Sequence, residues 1–305
     1  MSSTPLIRVG PSGWLHPHWD ALVYPRPQAR GFHALEFLAD RFDTVEIDQS
    51  FHHFLRPEFT RLWAAKVAHN PRFQFTARLH REFTHERRLE AVDIERFSEG
   101  LRPLADLDKL GCVLLQLPAS FRFTAENRDY LIRLRRAFHL FPLVAELRHA
   151  SWTRPEAAGL LIDYRVGFAN LDQPQAVWAA PPTHLLTWRV GFVKLHGRRV
   201  GPGHEAFDDR RQRTTGNDYL YQTEELEAWQ RRIEQFAPFS DSTFVIFNND
   251  GGGKSVINAL QMQGLVRSRE TGDRSQETGD RSQETGDRSQ ETGDRSRETG
   301  VRRAA

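Results

Sequence analysis

Leu143-Val-Ala-Glu-Leu-Arg-His149 starts apolar and ends in three ionisable side chains. An extended chain alternates faces with period two, so Glu146 and Arg148 share one face while Ala145 and Leu147 take the other. Thr44-Val-Glu-Ile-Asp48 reads the same way and pairs Glu46 with Asp48. Phe192-Val-Lys-Leu-His196 pairs Lys194 with His196, and the run ending Asn170-Leu-Asp172 pairs its two polar residues. Eight short apolar runs of this kind occur, at 6–12, 44–48, 73–79, 112–117, 143–148, 166–172, 192–196 and 243–249. Helical patterns lie between them, at 32–41, 57–68, 93–107, 126–138, 153–164 and 223–236, and a last one follows at 255–266. Pro57 suits a first helical turn, Thr153-x-x-Glu156 reads as a capping box, and Glu224 and Glu225 complement a helix N-terminus. The segment 173–188, with its Pro-Pro, reads as irregular. Repeated strand–helix alternation indicates a parallel sheet, and eight units favour closure into an α/β, TIM-barrel-like (β/α)8 barrel over an open doubly wound sheet.

The predicted barrel occupies residues 1–266 of the 305. That length can bury a core without a metal or disulfide staple. From Arg267 a seven-residue unit, Arg-Ser-(Arg/Gln)-Glu-Thr-Gly-Asp, recurs about five times. The heptad period suggests a coiled coil, yet no unit offers apolar a and d positions and each carries a glycine, so no seam can form. Residues 267–305 therefore read as a disordered tail. The single cysteine, Cys112, cannot form an internal disulfide, and no apolar leader or 18-residue apolar stretch is present, which points to the cytoplasm rather than a membrane. A net charge of +2 does not indicate a nucleic-acid partner.

Polarity falls at the C-terminal ends of the strands, where (β/α)8 barrels carry their sites. Buried charge is costly unless paired or used, so Glu46, Arg78, Gln116, Glu146, Arg148, Asn170, Asp172, Lys194, His196, Asn248 and Asn249 are read as converging on one mouth, either as a site or as an ion-pair plug. Glu46 and Glu146, with His85 and His196, are the candidates for moving protons. Arg78, Gln116, Arg148, His149, Asp172, Lys194, Asn248 and Asn249 are the candidates for holding a ligand. His85, His149 and His196, with Glu46, Glu146 and Asp172, also form a potential divalent-metal set, although no HExxH-like spacing is present. His16, His18, His52 and His53 are read as solvated loop residues. Trp14, Trp19 and Trp152 fit ligand stacking and core packing equally well. Gly251-Gly-Gly-Lys-Ser255 lacks the first glycine of a P-loop, because Asn248 stands there; only a weaker role, backbone N–H groups offered to a phosphate, survives.

Gly10-Pro-Ser-Gly-Trp14, Thr44-Val-Glu-Ile-Asp48, Thr84-His85 with Arg88-Leu89, Leu114-Leu-Gln-Leu-Pro118, Glu146-Leu-Arg-His149 with Ser151-Trp152, Lys194-Leu-His-Gly-Arg198 and Phe247-Asn-Asn249 follow one another along the chain. In the order and spacing of these runs the chain resembles, from about residue 6 to 266, the YecE-like family, catalogued as domain of unknown function 72. The resemblance implies a TIM-barrel-like fold and no established reaction. Its site residues carry over as Glu46, His85, Gln116, Glu146, Arg148, His149, Asp172, His196, Asn248 and Asn249. The chain departs from the pattern at Asp48 (usually Asn), His52 (Tyr), Arg78 (Lys), Lys194 (Arg) and Asp250 (His). Three functions compete. The first is an enzyme or binding protein for a phosphate-bearing ligand, a sugar phosphate or nucleic acid, phosphoesterase-like, with Arg148 as its central cation and a divalent metal as a candidate cofactor. The others are a glycoside hydrolase using paired carboxylates and a ligand-binding module without turnover.

Overall fold

The computed structural model describes residues 6–198 and 218–268. Eight parallel strands carry the fold: β1 (Ile7–Pro11), β2 (Thr44–Ile47), β3 (Gln74–Arg78), β4 (Leu110–Gln116), β5 (Leu143–Glu146), β6 (Gly167–Asp172), β7 (Val190–Leu195) and β8 (Ser242–Phe247). Each overlaps an expected run, with β4 and β7 starting two residues earlier and β8 one. They are hydrogen-bonded in the order β1-β8-β7-β6-β5-β4-β3-β2. The seam between β1 and β2 closes at the C-terminal rim, where Ser12 bridges Glu46 and Gly13 N donates to Glu46 O at 2.9 Å. Gly10 permits that closure, because a Cβ there would stand 1.9 Å from the Thr44 carbonyl oxygen. The result is a nearly closed (β/α)8 barrel.

The helices are α1 (Ala34–Ala39), α2 (Pro57–Lys66), α3 (Arg81–Thr84), α4 (Ala91–Asp106), α5 (Ala125–Ala137), α6 (Pro155–Asp163), α7 (Thr223–Phe236) and α8 (254–268). Helix α3 is not expected from the sequence; its four residues are too few for a periodic signal. The capping box read at Thr153 is not formed. Thr153 ends a 3-10 turn and its hydroxyl donates to Ala150 O, and α6 starts two residues later behind Arg154 with Pro155 at its first turn. The capping box that does form is at Gln222 and Glu225, ahead of α7. Among the described residues, 173–189 hold neither helix nor strand, so β6 runs to β7 through irregular chain.

Register decides which residues face the barrel interior. Val144, Ala169, Leu171, Phe192, Phe244 and Ile246 pack with Cys112 and Leu114 in one buried cluster. Leu171 lies opposite Lys194 and Gln116 opposite Glu146, so the apolar layers sit beneath a polar one nearer the C-terminal rim. The N-terminal end is stopped by Arg8, whose Nε donates to Arg72 O at 2.7 Å.

The chain divides into two compact units, Met1–Gln263, which holds the barrel, and Gly264–Ala305. In the second unit the described residues, 264–268, are helical, and the sequence repeats from 269 onward lie outside the described residues. Their composition cannot bury a core. A chain ending at Ser268 is expected to melt at the same temperature as the full chain; differential scanning calorimetry checks this, and a clear drop would show that the repeats dock. No helix among the described residues is long and apolar enough to cross a membrane.

Candidate functional site

Strands β2, β3, β4, β5 and β7 each end with an inward polar side chain, and these side chains bond to one another. Glu46 accepts from Ser12 Oγ at 2.8 Å, Arg78 Nε at 2.6 Å and Lys194 Nζ at 2.9 and 3.0 Å. Lys194 also reaches Gln116 Oε1 at 3.3 Å and lies 3.3 Å from Glu146 Oε2. Arg148 donates to Glu146 Oε1 through Nε and pairs with it through Nη2, both at 2.7 Å. Lys194 therefore bridges two carboxylates that are wholly buried. Its contact with Glu146 Oε2 is an ion pair without hydrogen-bond geometry, so that oxygen is buried and has no hydrogen-bond donor among the described residues.

Hydrogen-bond roles fix the state of His196. Asn248 Oδ1 accepts from Arg78 Nη2 at 3.1 Å, so its Nδ2 is the donor facing His196 Nδ1 at 3.0 Å. Nδ1 is then bare, and Nε2 carries the hydrogen that lies toward Glu146 Oε1 at 3.1 Å. Burial drives the same result: it outweighs the attraction of Glu146 and takes the imidazole down to about 4. Burial pushes the Glu46 carboxyl up, but Arg78 and Lys194 together outweigh it and hold it at about 2. Glu146 is likewise pushed up by burial and held well below the ordinary range by Lys194, Arg148 and His196. Burial lowers Lys194 and Arg78 lowers it further, against the pull of both carboxylates. Among the described residues the cluster thus sets Glu46 and Glu146 against Arg78, Arg148 and Lys194, beside an uncharged His196.

Arg78 is the member that reaches the surface, with 12 % of its side chain exposed against 1 % for Arg148. Its Nη2 is shared between Ser12 Oγ at 2.7 Å and Asn248, and its Nη1 makes no hydrogen bond among the described residues. The expectation that Arg148 presents N–H groups to a ligand is corrected by its enclosure. The face assigned to Asn170 and Asp172 is also corrected. Their neighbours Ala169 and Leu171 face the interior, so both polar side chains point outward. Asn170 pins the irregular segment by taking Thr183 Oγ1 and Leu185 N, each at 2.7 Å. Asp172 accepts from Trp229 Nε1 at 2.5 Å on α7 and from Arg198 Nη2 at 2.6 Å. Asp172 therefore does not balance the cations of the mouth.

The remaining candidates are held by other partners. Asn249 is buried and donates to Tyr219 O and Asn258 Oδ1, a bracing role at the start of α8. His149 caps the 3-10 turn Ala150–Thr153, with Nδ1 accepting from Ser151 N at 3.0 Å. His85 follows α3, beside Thr84 Oγ1 at 2.9 Å and the Phe51 ring at 5.2 Å. Among the described residues, His85, His149 and His196 do not gather with the carboxylates as the expected metal set. Trp14, Trp19 and Trp152 are core residues; Trp14 meets Trp63 edge-on at 5.0 Å and Trp152 stacks on Phe121. The glycine segment takes positive φ at Gly252 and Gly253, while Lys254 pairs with Asp218 and Ser255 Oγ bonds to Asp250, which closes the loop on itself. Ser12, which joins Glu46 to Arg78, is a site residue that the sequence reading misses, although Gly10-Pro-Ser-Gly13 marks the turn that carries it.

Comparison with known proteins gives the same architecture. UPF0759 protein YunF of Bacillus subtilis (strain 168) is 26 % identical over 273 residues, covering 86 % of this chain and 95 % of the relative. A DUF72 family protein crystal structure from Thermotoga maritima superposes with a TM-score of 0.71 at 28 % identity, covering 86 % of this chain and 99 % of that one. A second, from Enterococcus faecalis, gives a TM-score of 0.74 at 25 % identity, covering 86 % and 96 %. The family described as "Protein of unknown function DUF72" matches residues 8–283, most of the chain, and the chain belongs to that family.

Proposed function

We propose that the C-terminal mouth binds a compact phosphate-bearing ligand, with Arg78 as the cation that meets the phosphate. The observation that carries this reading is Arg78, the cation of the cluster that reaches the surface, whose Nη1 makes no hydrogen bond among the described residues. Asp48 also acts on Arg78, but from the half-buried rim where solvent screens it. A cation at the mouth favours an anion. The Nη1 group of Arg78 has N–H donors for it, and a planar guanidinium matches phosphate geometry. A sugar phosphate is a compact ligand of this kind.

The same geometry weakens the glycosidase reading. That chemistry needs one carboxylic acid kept protonated near neutral pH. Both Glu46 and Glu146 are instead held ionised by bonded cations. Both nitrogens of His196 are also engaged, so the cluster holds charge in place better than it transfers protons.

Calorimetric titration of inorganic phosphate and a panel of sugar phosphates tests the proposal, in metal-replete and in chelator-treated buffer. Wild type is expected to bind phosphate esters and not the unphosphorylated sugars. Arg78→Met is expected to weaken binding by at least about tenfold, the loss of one charge-assisted hydrogen-bonding group. The variant should fold, because Glu46 keeps Lys194 and Ser12. Equal binding by both proteins, or no binding by wild type in either buffer, would overturn it.

A further inference from the structure

A second group of chemistry-bearing side chains lies on the rim outside the buried cluster. His16 and His18 stand in the segment after β1, and Asp250 stands after β8, the strand paired with β1. Strand order thus brings together residues far apart in the chain. One ligand atom from each of the three lies within 4.8 Å of the others, in the one group of three such residues found among the described residues. We propose that His16, His18 and Asp250 bind a divalent transition-metal ion of the zinc type.

Geometry around the three residues supports this beyond their proximity. His16 Nε2 lies 3.0 Å from Ser12 O. A carbonyl only accepts, so Nε2 carries a hydrogen, and Nδ1 faces Asp250 Oδ2 at 3.9 Å. An imidazole fixed by one N–H on a backbone carbonyl, which leaves its other nitrogen for the ion, is how metal-binding histidines are held. Asp250 is oriented in the same manner. Trp19 Nε1, fully buried, donates to its two oxygens at 2.9 and 3.0 Å, and Ser255 Oγ lies 3.1 Å from Oδ1. His18 Nε2 stands 2.6 Å from Asp250 Oδ2. A metal would take the place of this direct contact.

Ligand atoms around a tetrahedral zinc ion stand about 3.3 Å apart, given metal–ligand bonds of about 2.0 Å. The His16 contact must close and the His18 contact open, each by roughly 0.6–0.7 Å. His18 can move, since 45 % of its side chain is exposed, and that exposure also gives the ion a path in. Two imidazoles and one carboxylate suit zinc-class ions better than magnesium or calcium, which take all-oxygen sets. Three protein ligands leave a coordination position open, the pattern of catalytic rather than structural zinc sites. Ser12 connects this site to the buried cluster, since its carbonyl fixes His16 while its hydroxyl bonds Glu46. The metal assignment stands on its own geometry and does not rest on the phosphate reading.

The test uses the full, untagged chain, stripped with chelator and titrated with zinc chloride in a calorimeter, with Co2+ absorption as a second readout. Wild type is expected to take up about one equivalent with release of protons. His16→Ala and Asp250→Asn are each expected to weaken binding by at least about tenfold, and His53→Ala, an exposed histidine elsewhere, to leave it unchanged. Circular dichroism checks each variant's fold; if Asp250→Asn is unfolded, His18→Ala at its exposed position takes its place. Absence of binding by wild type, or binding that is the same in wild type and His16→Ala, would overturn the site. Neither result bears on phosphate binding by Arg78, which is measured with metal absent as well as present.

Discussion

Lys194→Met is expected to lower the unfolding free energy by about 3–5 kcal/mol, the cost of leaving buried charge without its partner. Lys194 Nζ touches both Glu46 and Glu146, and all three side chains are fully enclosed. Methionine keeps the volume of the stem and removes the ammonium, so packing loss is small and the effect is electrostatic. Two like charges would then face each other with Arg78 on one and Arg148 on the other. Urea unfolding at pH 7 measures the loss. A second signature separates this cause from simple misfitting: Glu146→Gln added to Lys194→Met should restore part of the stability, since it removes one of the two repelling charges. A Lys194→Met variant within about 1 kcal/mol of wild type would mean that the two carboxylates do not depend on the bridge.

Stability is expected to fall as the solution is acidified from pH 7, in two windows. Both His196 and Glu46 titrate lower in the folded chain than their ordinary values. A group depressed in this way is protonated first in the unfolded chain. Its contribution is therefore complete above the unfolded value and is lost as pH falls through the folded one. For His196 the window runs from its ordinary 6.5 down to about 4, and for Glu46 from its ordinary 4.5 down to about 2. Each shift corresponds to roughly 3 kcal/mol at full strength. Other carboxylates add to the lower window, so the sharper measurement is in the upper one. Replacing His196 with Gln should flatten the dependence of unfolding free energy on pH between about 6.5 and 4. An unchanged slope in that variant would show that the imidazole is not the buried neutral group its hydrogen bonds describe.

Strand positions and most helices were legible because each is a local pattern. Period two marks a strand wherever one face meets a core, and the proline and acidic first turns of α2 and α7 announce themselves. The residues that form the cluster were legible for the same reason: Glu46, Arg78, Gln116, Glu146, Arg148, Lys194 and His196 are costly to bury, and they recur at strand ends. Asn170 and Asp172 show where that reasoning stops. Alternation says that the two share a face and does not say which face is inward. That choice belongs to the register with β7, which sets Ala169 opposite Phe192 and Leu171 opposite Lys194. The inward path of β6 is apolar there, and the polar pair goes outside to hold the irregular segment, Arg198 and α7.

His16 and His18 taken with Asp250 are the opposite case. Nothing local distinguishes two loop histidines from solvated ones, and Asp250 is more than 230 positions away. The meeting exists only because the first strand of the barrel pairs with the last. The amino-acid order by itself determined the eight strands, their alternation and the kinds of side chain available at their ends, since these follow from local periodicity and the cost of burying charge. Tertiary structure decided which faces turn inward, that Arg78 rather than Arg148 meets the surface, and that two distant loops share one rim, since register and barrel closure depend on partners that no local stretch contains.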